Sequence, residues 1–167
     1  MRATLLTHRT LASVSIVTAD QPISRQAGRV LVIDANGRVL LLHGYDPAEP
    51  GRPYWFTVGG GAQHDESLAD AAVRELREET GLTAKAGDLG DPVWHEVAEF
   101  SFDGTRYRQE QDFFLLRVGS PDVSAQGRDD EEAAVIDGHR WWTLSELQAT
   151  SESYYPSELP RLLRALG

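Results

Sequence analysis

The stretch from Trp55 to Leu82, WFTVGGGAQHDESLADAAVRELREETGL, leaves a chain few ways to fold. It opens on three consecutive glycines, Gly59, Gly60 and Gly61. Ser67, with Asp70 on the following turn, fits a capping box at a helix start. Ala69, Ala72, Val73, Leu76 and Thr80 recur at helical spacing, so one face of that helix packs on a sheet. Gly81 is a natural left-handed cap and ends it. On an adjoining face stand Glu75, Glu78 and Glu79, neighbours on a helical surface. Like charges so placed repel one another, and a divalent cation is the simplest compensation. Hard oxygen ligands of this kind suit magnesium, manganese or calcium. The plainer reading, a solvated acidic helix beside a flexible turn, does not explain three glycines in a row.

The 167 residues fit one domain, and 41% hydrophobic with 25% charged residues is enough for a well-filled core. The 26 acidic residues outnumber the 16 basic ones and leave a formal charge of −10. A surface of that sign disfavours DNA and anionic membrane, yet it admits a small phosphorylated substrate where metal ions neutralise the site. Without cysteine, disulfides, thiolate metal sites and a cysteine nucleophile are excluded. No apolar run reaches signal-peptide or membrane-span length, so the expected location is the cytoplasm.

Residues 1–24 are expected to be an N-terminal extension, with one short strand at Leu11 to Val17. Residues 25–167 are expected to form a single domain. GRVLVID and GRVLLLH, from Gly28 and Gly37, are β-rich runs, and Ala35-Asn36-Gly37 between them is a hairpin signal. Their near-continuous apolarity predicts strands covered on both faces. Tyr54 to Val58 is a further strand leading into a glycine turn. Asp88 to Pro92 forms a loop, and VWHEVAEFSF alternates as a half-exposed strand. Asp103-Gly104 turns the chain into a partner strand, Tyr107 to Val118. An acidic stretch, Asp129 to Val135, has helical potential. His139 to Trp142 is the last strand, and one of Trp141 and Trp142 is buried. Thr143 with Glu146 caps a helix over Leu144 to Ala149, and Pro156 to Leu166 closes the chain as a helix. Hairpin strands with helices between and after them indicate an α+β sandwich.

Gly60, Glu66, Arg74, Glu75, Leu76, Glu78, Glu79, Gly81 and Leu82 stand at the spacing of the Nudix box. At every defining position of that motif the chain resembles the Nudix hydrolase family, and the order of elements over roughly residues 25–150 is similar too. Val58 departs from it, since many members carry proline there. The resemblance implies an α/β/α sandwich with a mixed β-sheet. It also implies hydrolysis of a diphosphate joined to another moiety, with Mg2+, or Mn2+, as cofactor. Metal ligands are then Gly60, through its carbonyl, with Glu75, Glu78 and Glu79. The glutamates and Arg74 are catalytic. Glu66, Gly61 and Gly81 are structural, with Glu66 reaching back to Arg74.

The residues themselves agree with this. A guanidinium fork fixes carboxylate oxygens better than it serves as a lone phosphate ligand, so Arg74 is an orienting partner. The general base is Glu75 or Glu79, or a later carboxylate among Glu110, Asp112, Glu131 and Glu132. Substrate contacts are expected from Arg25, Trp55, His64, Tyr107 and Glu110. Phe102 and Trp142 are further stacking candidates, and Arg29, Arg106 and Arg108 are further phosphate contacts. His43, His95 and His139 have structural roles on strands. The expected partner is a small phosphorylated compound, a nucleotide, with the protein a monomer or homodimer. Two alternatives are a catalytically weak nucleotide sensor, whose mark would be a lost motif glutamate, and an RNA 5′-pyrophosphohydrolase.

Overall fold

A computed structural model describes residues 21–119, 122–124 and 135–167. The expected strand at Leu11 to Val17, the stretch Asp129 to Val135 save its last residue, and Glu131 and Glu132 lie outside the described residues. The strands are β1 (Ile23–Ile33), β2 (Val39–Gly44), β3 (Tyr54–Gly61), β4 (Trp94–Phe102), β5 (Thr105–Arg117), β6 (Ile136–Trp142) and β7 (Tyr154–Tyr155). The helices are α1 (Leu68–Thr80), α2 (Ala86–Leu89), α3 (Leu144–Ala149) and α4 (Leu159–Leu166).

Alternation along β1 and β2 divides the molecule into layers. Val30, Val32, Leu40 and Leu42 face α1 and pack with Ala72, Leu76, Val58 and Phe114. Their neighbours Leu31, Ile33, Val39 and Leu41 face the other way, onto Leu147 of α3 and Leu159, Leu162 and Leu163 of α4. Successive strand residues point to opposite faces, so a continuous apolar run buries both. The result is the expected α/β/α sandwich around a mixed sheet.

The seven strands form one sheet in which β3 is shared. Its first half pairs with β2, from Thr57 opposite Leu41 to Tyr54 opposite Gly44. Its second half pairs with β1, from Val58 opposite Val30 to Gly61 opposite Ala27. The β1–β2 hairpin is therefore in register only at Ile33 and Val39 before the strands part. On its other side β1 runs parallel to β5, from Ile23 opposite Tyr107 to Ile33 opposite Arg117.

The structure corrects several expectations. The three glycines do not make a turn: all lie within β3, and Gly59, at φ 130°, pairs with Arg29. β1 begins at Ile23, ahead of the apolar run that starts at Gly28, because β5 supplies ladder partners that its polar start does not advertise. Asp88 caps the start of the one-turn helix α2, accepting from the Lys85 N–H at 2.9 Å, where a loop was expected. The closing helix starts at Leu159, with Pro160 in its first turn, where a fixed φ suits helix initiation. At the start of α1, Ser67 accepts from the Asp70 N–H at 3.1 Å, but the Asp70 carboxylate takes the Ser67 hydroxyl, at 2.6 Å. That is half a capping box. Thr143 and Glu146 form a complete one. Of the adjacent tryptophans, Trp142 is the buried one.

The contact that seats α1 is Gly28 of β1. A Cβ there would lie 1.9 Å from the Leu68 carbonyl oxygen and 3.0 Å from the Ala72 nitrogen, both helix backbone. Neither atom can move without shifting the helix. Gly28→Ala is therefore expected to destabilise by about 2 kcal/mol or more, the range of core overpacking. Urea unfolding would measure it, and a midpoint unchanged from wild type would show that α1 is not seated by this approach.

Candidate active site

Glu75 and Glu79 lie on the edge of α1 that meets the glycine half of β3. Both are buried, at 5% and 4% exposure. The Glu75 carboxylate rests on Gly60: a Cβ there would be 2.6 Å from Glu75 Oε1. Glu79 Oε2 accepts from the Gly59 N–H at 2.8 Å. Gly60 is thus required because the Glu75 carboxylate occupies the space a side chain would fill, whereas at Gly59 a Cβ would lie 2.3 Å from the Gly28 carbonyl oxygen of β1. Glu78 is half-buried beside them.

Arg74 joins these groups. Its Nε donates to Glu66 Oε1 at 2.9 Å and its Nη2 to Glu66 Oε2 at 3.0 Å, a two-pronged pair. Nη1 donates to Glu75 Oε1 at 2.7 Å and reaches Glu78 Oε2 at 3.5 Å. Nη2 also donates to the Gly61 carbonyl at 2.9 Å. The Glu66 partnership, ahead of that with Glu75, raises the Arg74 pKa. The same fork holds the Glu66 carboxyl below its ordinary value. Burial pushes Glu75 the other way, upward, against the pull of Arg74 and with the charge of Glu78 adding to the rise. One guanidinium thus serves three carboxylates, Glu66, Glu75 and Glu78, and leaves a local excess of negative charge.

Among the described residues no three histidine, aspartate or glutamate side chains are already gathered into a metal shell. The donor chemistry nonetheless fits a hard divalent ion. Glu75 is a buried carboxylate with an upward-shifted pKa, next to the carboxylates of Glu78 and Glu79. A dication favours the ionised form that burial opposes. The carbonyls flanking Gly60 are committed, Gly59 to Arg29 at 2.7 Å and Gly61 to Arg74 at 2.9 Å.

The remaining expected site residues divide between the two faces of the sheet. Arg25 and Tyr107 come together on the face opposite α1, with the guanidinium 4.6 Å from the ring centre. Glu110 points to the α1 face and pairs with Arg108 at 2.9 Å, while Asp112 pairs with His95 at 2.7 Å. Trp55 is committed to packing: its ring meets Trp142 edge-on at 5.1 Å, and its Nε1 donates to Glu152 at 2.7 Å. His64 stands in solvent, its side chain 96% exposed, against Asp65. Gly81 takes the left-handed conformation at the end of α1, at φ 74°. Arg29 does not project toward a ligand but binds the Thr57 and Gly59 carbonyls, at 3.3 and 2.7 Å. Sequence reasoning missed Gln109 and Gln111, which join the arginines of β1. Their signal was alternation with Tyr107 and Phe113 along one strand.

The NUDIX domain profile matches residues 24–163. The chain belongs to the NUDIX family. It is 33% identical over 145 residues to an RNA pyrophosphohydrolase of Gluconacetobacter diazotrophicus, covering 77% of this chain and 82% of that one. Over 68 residues it is 37% identical to the CTP pyrophosphohydrolase of Escherichia coli, covering 40% of this chain and 49% of the relative. Among solved structures, a MutT protein of Methanosarcina mazei superposes with a TM-score of 0.62 at 20% identity, over 87% of this chain and 94% of that one. The fold is therefore the NUDIX sandwich, and the chain is a hydrolase acting on pyrophosphate bonds.

In this NUDIX site the Glu66–Arg74 fork sets a pH dependence of stability. A carboxyl whose pKa is lowered on folding stabilises above its unfolded value and loses that contribution as pH falls through the folded one. Glu66→Gln is expected to cost about 2 kcal/mol at neutral pH, the scale of a charge-assisted hydrogen bond. The gap from wild type should close as pH drops below the ordinary carboxylate range. Urea unfolding across a pH series measures it, and a gap of constant size down to acid pH would show that the fork is not ionic.

Proposed function

We propose that this NUDIX protein is a divalent-metal-dependent hydrolase of a nucleoside diphosphate derivative, such as a nucleoside triphosphate or a nucleotide sugar. Water attacks phosphorus, and the diphosphate linkage breaks. Residues 25–167 carry the activity as one domain. The observation behind this reading is the pair of buried carboxylates, Glu75 and Glu79, set against side-chain-free backbone at Gly60 and Gly59.

Glu75, Glu78 and Glu79, with the Gly60 carbonyl, are the residues to hold Mg2+ or Mn2+. When bound, such an ion neutralises the diphosphate, polarises phosphorus and lowers the pKa of water. The protein's own part is orientation and proton transfer. Arg74 fixes Glu75 through Oε1 and leaves its other oxygen outside that bond. Glu75 or Glu79 accepts the proton of the attacking water.

A second reading, removal of pyrophosphate from RNA 5′ ends, is favoured by the name of the Gluconacetobacter relative. The formal charge of −10 weighs against a long polyanion and for a small substrate. The sensor reading is disfavoured because all four motif glutamates, Glu66, Glu75, Glu78 and Glu79, are present. A panel of nucleoside triphosphates, nucleotide sugars, dinucleoside polyphosphates and 5′-triphosphorylated RNA, with magnesium, decides among them by phosphate and monophosphate release. Turnover of none by folded, metal-loaded protein would refute the hydrolase assignment. Glu79→Gln retains an acceptor for the Gly59 N–H and is expected to keep the fold by circular dichroism. It should lose about 100-fold or more in kcat, as for loss of a proton-transfer group. Undiminished turnover would move the chemistry to other residues.

A further inference from the structure

On the face of the sheet opposite α1, β1, β4 and β5 carry a buried polar chain that the chemistry above does not use. Arg25 Nε donates to Gln109 Oε1. The Gln109 amide nitrogen donates to Gln111 Oε1 at 2.7 Å, and the same oxygen accepts from Arg29 Nε at 3.2 Å. The Gln111 amide nitrogen donates to Glu96 Oε2 at 2.8 Å. Arginine has no acceptor, so each guanidinium dictates which end of its glutamine faces it. The sense of every bond in the chain then follows, down to the carboxylate that ends it.

Two amides at 1% and 8% exposure are costly to bury, and this chain satisfies them. A brace between strands would need no arginine whose far end is left over. Arg29 is such a brace, since its Nη1 is spent on the Thr57 and Gly59 carbonyls. Arg25 differs. Among the described residues its only hydrogen bond is through Nε. Its terminal nitrogens carry no hydrogen bond among the described residues, and the side chain is half-buried. Its guanidinium lies over Tyr107 at 4.6 Å and Phe100 at 5.4 Å, two rings stacked on each other at 5.7 Å. Burial lowers its pKa, while the Glu75 charge acts in the opposite direction across the sheet. A half-buried cation aimed by a buried relay, with its planar fork open, is a receptor for a phosphate or carboxylate edge.

Resting on the diphosphate reading above, we propose that Arg25 binds a phosphate group of the substrate and that Gln109, Gln111 and Glu96 are positioning residues that hold its fork in place. Arg25 then contributes to substrate binding rather than to the chemical step. A misaimed fork weakens ground state and transition state alike, which raises KM and leaves kcat nearly unchanged.

Steady-state kinetics on a nucleotide turned over by the wild type, and calorimetric binding of inorganic pyrophosphate with magnesium, test this together. Gln109→Leu and Arg25→Lys should each raise KM about tenfold with kcat within about twofold, and should weaken pyrophosphate binding to match. The double variant should be no worse than either alone, because the glutamine acts only through the arginine. Gln109→Glu, which keeps an acceptor for Arg25 Nε, should recover part of the KM. KM and pyrophosphate affinity unchanged in folded Arg25→Lys would overturn the proposal, as would additive losses in the double variant. Should Gln109→Leu fail to fold, Arg25→Lys decides alone, since it keeps the positive charge while removing the planar fork together with its Nε bond to Gln109. Wild-type protein that hydrolyses no nucleotide refutes the proposed function, whereas Arg25-dependent pyrophosphate binding by that protein would still uphold the receptor.

Discussion

The fork between Arg74 and Glu66 is the interaction on which the α1 side of this protein depends. Arg74 and three of the motif glutamates project from one short helix, and nothing in a helix alone keeps like charges at fixed separations. The guanidinium does, because its donors are rigid and coplanar. Two are occupied by Glu66, in the segment before α1, and two more by Glu75 and the Gly61 carbonyl. The helix, the segment leading into it and the strand are thereby tied at one point. Helix propensity and apolar packing place α1 to within a turn; this cluster fixes its carboxylates to within a bond.

That cluster needs a particular kind of strand beside it. Gly59, Gly60 and Gly61 pair with β1 as any strand would, yet they carry nothing on the α1 side, and Glu75 fills the gap over Gly60. The same closeness recurs at Gly28, where β1 meets the backbone of α1. Close backbone approach on β1 and absent side chains on β3 together let a buried carboxylate pair sit between helix and sheet. Each is a packing requirement with an electrostatic purpose.

Much of this was legible in the sequence. Alternation and continuous apolarity in β1 and β2 gave the two-faced core, and the spacing of Arg74, Glu75, Glu78 and Glu79 gave the acidic edge of α1. The glycines misled, because three in a row imitate a turn when Gly60 makes room for a carboxylate and Gly59 for the backbone of β1, both arriving from elsewhere in the chain. The polar start of β1 also escaped notice, since its pairing with β5 is parallel and far removed in sequence. For Gln109 and Gln111 the alternation was visible, but its meaning was not. A glutamine at a core-facing strand position signals a buried partner without naming it, and Arg25 lies 84 residues away.

The division of faces has a consequence for how such a site can vary. The glutamates reach the glycine segment from the α1 side, and Arg29 reaches the carbonyl of Gly59 from the other. One stretch of bare backbone is thus gripped by acid on one face and base on the other. Any change on the acidic side disturbs the carboxylates that Arg74 and Gly59 hold in place. On the basic side Arg29 is tied to β3, whereas Arg25, Tyr107 and Phe100 sit farther along the same face. Their replacement leaves the glycine segment and its carboxylates where they are. The thickness of a single strand thus separates the carboxylates of α1 from the arginines and rings of β1, β4 and β5, so the two groups can change independently of one another.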